Sequence, residues 1–351
     1  MKILVTGGAG MIGYHVAKHY AEQGNSVDVM DNHERSHLLG HAEVSVERIY
    51  YNSEKLKDLG IQILARDVSE KASFEDLPEY KYIIHLAAQC GVPSSIEDPR
   101  RDFEVNTVGT FNVLEHARAC GARVVYASTN KVYPVHGPWY LDHEQRRWRW
   151  SKPTWDTYGF PLDGHTDLQA YYPQNRTPYG TNKYAGDLLC QEYWQTYQVP
   201  TGVFRMSCIY GDHQFGFAEQ GWATWFAIAT INGTDISIFG DGCQVRDMLW
   251  VGDVVKAYDA YLKSDTVSAG VWNLGGGPQN VLSLNECLLQ LEEITGKMSK
   301  LIYGEWRPAD QRIYTSDTRP LLGDLDWKPT VSPEEGLKRI VEWVEPIKDL
   351  F

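Results

Sequence analysis

KILVTGGAGMIGYHVAKHYAEQGNSVDVMD, residues 2–31, decides the fold. Lys2 to Thr6 is a short apolar run and reads as a strand, Met11 to Gln23 carries a helical pattern, and Ser26 to Asp31 is a second strand. Strand, glycine-rich turn, helix and strand in that order make a βαβ unit. Within the turn, TGGAGMIG at 6–13, Gly7 permits the tight bend, Gly10 lets the backbone approach a pyrophosphate, and Gly13 lets the helix pack on the strand. The helix then opens at Met11 and Ile12 with unpaired N–H groups and a positive dipole end, which suits an anionic pyrophosphate. Asp31 ends the second strand, 18 residues past Gly13. A carboxylate there binds ribose hydroxyls and repels a 2′-phosphate, so the expected cofactor is NAD rather than NADP. Asn32 and Arg35 follow at the same strand end, and the cation at Arg35 pulls the other way.

The alternation continues outward. Ile61–Ala65, Tyr82–Leu86 and Arg123–Ser128 read as further strands, with a helix from about Arg100 to Cys120 between the last two. IIHLAA and VVYAS are apolar on both parities, as central parallel strands covered by helices on both faces must be. Asp67 and Val68 follow the third strand, where adenine would lie. Leu86, Ala87, Ala88 and Gln89 end the fourth, beside the nicotinamide half, and Asn106 in the next helix is placed to fix a loop. From about Pro134 to Pro178 the regular pattern breaks into a stretch rich in tryptophan, tyrosine, proline and glycine, long enough to be functional or an interface. It resumes with a helix at Tyr179–Tyr197, a strand at Thr201–Met206, a helix after Gln220, strands at Ile236–Phe239 and Val271–Leu274, and helices near Leu284 and Glu334. The fold class is therefore α/β: a Rossmann-type, doubly wound parallel sheet over about 1–200, and a smaller interleaved α/β domain over about 201–351.

A formal charge of −13, from 46 acidic and 33 basic side chains, disfavours nucleic acid and anionic membranes as partners. That argument also turns the RRWRW run at 146–150 away from nucleic-acid binding and toward a loop or subunit contact. None of the six cysteines forms a C-x-x-C pair or sits at zinc-ligand spacing, so no metal is expected. The chain starts directly in a strand and has no apolar run that spans a bilayer, so the cytoplasm is the expected compartment.

Tyr179 and Lys183 stand four apart in YGTNK and share a helix face. An ammonium beside a phenol favours the phenolate, so the pair can serve as a base near neutrality. The fifth strand ends in ASTNKVY, 127–133. Ser128 and Thr129 point to opposite faces, so only one can face Tyr179; Thr129 is placed to hold the substrate oxygen. Asn130 and Lys131 are candidates for substrate contact.

These segments, in this order and spacing, resemble the extended short-chain dehydrogenase/reductases of the NAD-dependent epimerase/dehydratase family, and within it the CDP-paratose (CDP-tyvelose) 2-epimerases. STNKVY at 128–133, QFGFAEQGWATWF at 214–226, GDGCQVRDMLW at 240–250 and PADQRIYTSD at 308–317 carry the likeness. The resemblance implies Thr129, Tyr179 and Lys183 as the catalytic set. It also implies NAD as cofactor, and a nucleotide-diphospho sugar, a CDP-hexose first, as substrate. Cys208, Gln220, Trp222 and Gln244 would lie near the sugar or nucleotide, and Arg246 and Arg312, with Asp310 between them in sequence, near the diphosphate. It further implies a homodimer or homotetramer built on the helices near 100–120 and 179–197. The reaction implied is epimerisation of a sugar hydroxyl carbon, C2 first, with 4-epimerisation, decarboxylation or dehydration on another nucleotide sugar as alternatives and an NAD-sensing interaction protein as the non-enzyme reading. Asn130-Lys131 stands where a dehydratase carries an Asp-Glu pair. The chain departs from the family at Pro134, for the usual glycine, and at Asp212-His213, for Pro-Arg.

Overall fold

A computed structural model describes residues 1–34, 45–133, 141–144, 146–150, 176–218, 220–307 and 310–351. Seven strands form one parallel sheet: β1 (Lys2–Thr6), β2 (Ser26–Met30), β3 (Gln62–Leu64), β4 (Tyr82–His85), β5 (Arg123–Thr129), and later β8 (Thr201–Met206) and β12 (Gly270–Leu274). Their order is β12-β8-β5-β4-β1-β2-β3. The chain winds outward through β2 and β3, then returns across β1 to place β4, so the order reverses between β1 and β4. A crevice at the carboxyl ends of the strands opens at such a reversal. β8 and β12 come from beyond residue 200, which is how the two halves interleave.

The strands are apolar on both parities because both faces are covered. Ile3 and Val5 of β1 enter one core with Tyr258 and Tyr261, while Leu4 between them enters the opposite core with Ile83 and Val113. Helix α1 (Met11–Glu22) and α8 (Val251–Lys263) cover the first face. The second is covered by α5 (Gly109–Cys120) and α6 (Thr177–Tyr197). The helix expected near 100–120 is a composite: α4 (Pro99–Phe103), a π-helical turn at Glu104–Val108, then α5. A π turn inserts one extra residue and commonly marks a functional position; here it carries Asn106.

Among the helices unread in the sequence are α8 and α2 (Val46–Asp58), the latter burying Asn52, Ser53 and Leu56. Two of those three are polar, so no apolar stripe announces it. In the smaller half, β11 (Val245–Trp250) pairs antiparallel with β13 (Val281–Ser283) and parallel with β9 (Cys208–Tyr210) and β15 (Ile313–Tyr314). β10 (Ile236–Phe239) pairs with β14 (Leu301–Gly304). A third core, with Phe226, Ile238, Met248, Leu291 and Ile340, fills this half around α7 (Trp222–Asn232) and α11 (Pro333–Val344). The described part of the aromatic insertion is an antiparallel hairpin, β6 (Leu141–Glu144) with β7 (Arg147–Trp150). All six cysteines are free. Among the described residues no helix is long and apolar enough to cross a membrane. No group of His, Cys, Asp or Glu among them is placed to hold a metal ion.

Candidate active site

A continuous cavity of about 540 Å³ runs along the carboxyl ends of the strands into the smaller half. One end is a dinucleotide cradle. Gly7 has φ +70°, and a Cβ there would sit 2.6 Å from the Ala87 backbone nitrogen; at Gly13 it would sit 2.4 Å from the Gly7 carbonyl oxygen. Both positions exclude any side chain. Gly10 caps α1 without a capping side chain, so the first N–H groups of the helix face the cavity unshielded. The Asp31 carboxylate accepts from Ala9 N at 2.9 Å and His33 N at 2.8 Å, which fixes it beside the glycine turn. Met11, Ile12, Asn32, Asp67, Val68, Leu86, Ala87, Ala88, Gln89 and Ser128 all line this stretch. Asn106 does not: it is buried beneath, donating to Gln89 O and to Asp102 Oδ1, each at 2.9 Å. Its own Oδ1 has no partner among the described residues. Arg35 lies outside the described residues.

Thr129, Tyr179 and Lys183 line the middle of the cavity. Opposite directions of neighbouring strand residues separate the two candidate hydroxyls. Ser128 Oγ donates to Asp187 at 2.7 Å, and that carboxylate is held by Arg205 Nε at 2.9 Å. The Thr129 hydroxyl faces the Tyr179 phenol closely enough to favour its phenolate. Burial raises the phenol above its ordinary value; the Thr129 hydroxyl opposes this, while the charges of Cys90 and Asp102 reinforce it. Lys183 is buried, with its Nζ 4.3 Å from the Tyr126 ring centroid, and burial brings its pKa down to about 8 despite the attraction of Asp102 and Asp187. Burial is the largest influence on the phenol and acts against the phenolate that a neighbouring ammonium favours.

Cations collect at the far end. Lys131, Arg246, Arg307 and Asp310 line the cavity there with Cys208, Gln220, Trp222 and Gln244. Arg246 Nη2 meets Asp310 at 2.7 Å. Gln244 Nε2 donates to Phe239 O at 2.8 Å. Burial pushes the Cys208 thiol up to about 12, so it stays a thiol. Lys131 Nζ lies 3.4 Å from Gln311 Oε1, and burial lowers its pKa to about 8, with Asp310 opposing and Arg246 and Arg307 adding to the shift. Arg312 is not among the lining residues. Its guanidinium lies 3.2 Å from the Trp306 ring centroid and 5.2 Å from that of Trp148 in the hairpin.

Sequence reasoning missed Arg307, which lies 4.0 Å over the Phe239 ring. It also missed Asn52, whose Nδ2 donates to Ala9 O at 2.9 Å and His213 O at 3.1 Å, tying the glycine turn to the loop after β9. Arg307 stands immediately before the segment 308–317 that carries Asp310, and that adjacency was its available signal; Asn52 had none, being a polar residue on an unread helix.

The profile of the NAD dependent epimerase/dehydratase family matches residues 3–275. The chain belongs to that family. The cradle fits the cofactor in the family's name on its own geometry: two positions that admit only glycine, an open helix N-terminus, and a carboxylate at the ribose position. The chain is 32% identical to CDP-paratose 2-epimerase of Salmonella typhi, over 99% of this chain and all of that one. Among solved structures it resembles a Thermotoga maritima UDP-glucose 4-epimerase with UDP-glucose (TM-score 0.76, 28% identity, 99% of each chain). It also resembles a Thermus thermophilus UDP-glucose 4-epimerase with NAD (TM-score 0.74, 28% identity, 98% of each).

Proposed function

We propose that this enzyme inverts C2 of a nucleotide-diphospho sugar, a CDP-hexose of the paratose/tyvelose type, by transient oxidation and re-reduction of that carbon. The observation that carries the reaction class is the Thr129–Tyr179–Lys183 set between an NAD cradle and a cationic end. Tyr179 takes the proton of the sugar hydroxyl and later returns it, while Thr129 holds the same oxygen. Lys183 contributes positive charge when protonated. NAD, when bound, supplies the reversible acceptor for the hydrogen and electron pair that leave the carbon, along with a cationic ring near the phenol. Arg246 and Arg307, with Lys131, hold the diphosphate through charge-assisted hydrogen bonds; Arg312 serves as a strut behind them.

Position 2 is supported by whole-length likeness to the Salmonella 2-epimerase, while Asn130-Lys131 in place of an acidic pair weighs against dehydration. Likeness to two UDP-glucose 4-epimerases supports C4 inversion as the second reading. Proton NMR of the enzyme with CDP-paratose, CDP-tyvelose, UDP-glucose and UDP-glucuronate separates them. Conversion of a CDP-sugar to its C2 epimer without net NADH is expected; C4 inversion alone would sink the assignment. The oligomer is proposed to form on α4–α5 and α6, where Phe103, Phe111 and Leu188 are nearly half exposed. Light scattering that gives a monomer at working concentration would exclude it.

A further inference from the structure

Arg101 is the side chain whose contacts the catalytic reading leaves unused. It sits on α4, in the connection after β4, yet all three of its guanidinium nitrogens bond at the tips of β2 and β3. Nε donates to Glu34 Oε1 at 2.8 Å, Nη1 to Ser69 Oγ at 3.0 Å, and Nη2 to both Glu34 Oε2 and Asp67 Oδ2. Asn32 Nδ2 joins the same two carboxylates at 2.9 and 3.0 Å. In the sheet, β1 lies between β4 and β2, so the arginine links the connection after β4 to the tips of β2 and β3 on the far side of β1. Glu34 and Asp67 line the cavity at that end. The base of the reach is rigid. The next residue, Asp102, is fully buried and held by Asn106 at 2.9 Å and by Asn182 of the catalytic helix at 2.6 Å.

We propose that Arg101, with Glu34 and Asp67, is a strap that closes the adenosine end of the cradle and retains NAD between turnovers. A planar guanidinium forked onto one carboxylate while bonding a second is a strong, oriented arrangement, and these three side chains are only 18–29% exposed. The strap also offsets one of the two negative charges that Glu34 and Asp67 would otherwise turn on each other and on an anionic cofactor. Four of the five guanidinium N–H groups are engaged by Glu34, Asp67 and Ser69, so Arg101 is committed to these partners, and the choice against a 2′-phosphate rests on Asp31. The strap rests on the family's cofactor and is independent of which sugar is turned over.

The test is NAD release from the purified holoenzyme, read by displacement with a fluorescent etheno-NAD, together with NAD content after gel filtration. Arg101→Ala is expected to release NAD about tenfold faster than the parent. Raising salt from about 50 to about 500 mM should speed release from the parent and leave Arg101→Ala nearly unaffected. Arg101→Glu should be at least as fast, and Glu34→Arg combined with Arg101→Glu should recover slow release. Release at the parental rate from Arg101→Ala, at both salt concentrations, overturns the proposal. If Arg101→Ala fails to fold, Glu34→Gln removes the forked partner without touching α4, and an unchanged release rate there overturns the strap equally.

Discussion

Lys183→Met should stabilise the NAD-free protein while destroying its chemistry. Lys183 is 3% exposed and meets no carboxylate at ion-pair distance among the described residues. Its pKa falls from 10.5 to about 8 because burial disfavours the ammonium. At about 1.4 kcal/mol per unit, that shift corresponds to about 3 kcal/mol against the folded state whenever the lysine is charged. The sign follows from proton counts. Between pH 8 and 10.5 the unfolded chain binds a proton that the folded chain has released, so stability rises with pH across this window. Below pH 8 the full penalty applies. Methionine keeps the stem and removes the charge. It also forfeits the contact over the Tyr126 ring, worth about 1 kcal/mol, which leaves a net gain of about 2 kcal/mol at pH 7. Asp102 and Asp187 both face Lys183, but Asp187 keeps its Arg205 partner in the variant and Asp102 keeps its two asparagine donors.

Urea unfolding of the two NAD-free proteins from pH 7 to 10 measures the effect, since groups common to both cancel in the difference. The variant should have the higher midpoint at pH 7, and its advantage should vanish as pH approaches 10. A variant no more stable at pH 7, or a difference that does not change with pH, would refute the burial argument. An active-site group kept against its own stability cost is what a function-bearing position predicts.

Three further outcomes can be checked directly. Gly13→Ala puts a Cβ 2.4 Å from the Gly7 carbonyl oxygen and 2.4 Å from the Gly8 Cα, both backbone atoms, so the turn must move. The purified variant should carry little NAD and lose about 1–3 kcal/mol of stability in urea unfolding. Asp187→Ala leaves the Arg205 guanidinium, 13% exposed, without its carboxylate. Denaturant unfolding should show a loss of about 3–5 kcal/mol. Trp148→Ala removes one side of the stack that holds Arg312, beside Trp306 and hence Arg307. Steady-state kinetics should show KM for the nucleotide sugar raised about tenfold, kcat within about twofold, and bound NAD unchanged, because the substitution weakens binding of substrate and transition state alike.

What the sequence made legible was whatever carries a local signature. The glycine turn could be read because glycine alone tolerates Gly7's φ and Gly13's contact, and YGTNK because helical spacing is itself geometry. β1, β8 and β10 fall on the very residues where apolar runs placed them. Residues that act through tertiary partners were silent. Arg101 is an unremarked cation on a short helix until Glu34 and Asp67 are brought to it. Helix α2 hides because it docks through Asn52 and Ser53 rather than an apolar stripe. Arg307 and Arg312 lie five apart on a mostly irregular stretch, where no period assigns direction; the structure turns the first into the cavity and the second onto Trp306.

Charge is distributed along the cavity in a way that orders the two ligands without any separate device. The cradle end holds Asp31, Glu34 and Asp67, the last two bound by Arg101, while Arg66 beside them is paired with Asp76; the carboxylate at the ribose position tolerates ribose hydroxyls and rejects an added phosphate. The other end gathers Lys131, Arg246 and Arg307 around Asp310, an excess of cations that a diphosphate can match. Burial lowers the pKa of Lys131 most, and Arg246 and Arg307 add to the shift, so a dianion arriving there relieves repulsion on Lys131 as well as forming bonds. The sugar of a correctly bound nucleotide must then lie between the two ends, where Thr129 and Tyr179 wait on the strand tip and the helix start. Because the diphosphate anchors one side only, the sugar ring retains freedom to turn about its linkage, and an epimerase needs that freedom if the same carbon is to be approached from both faces.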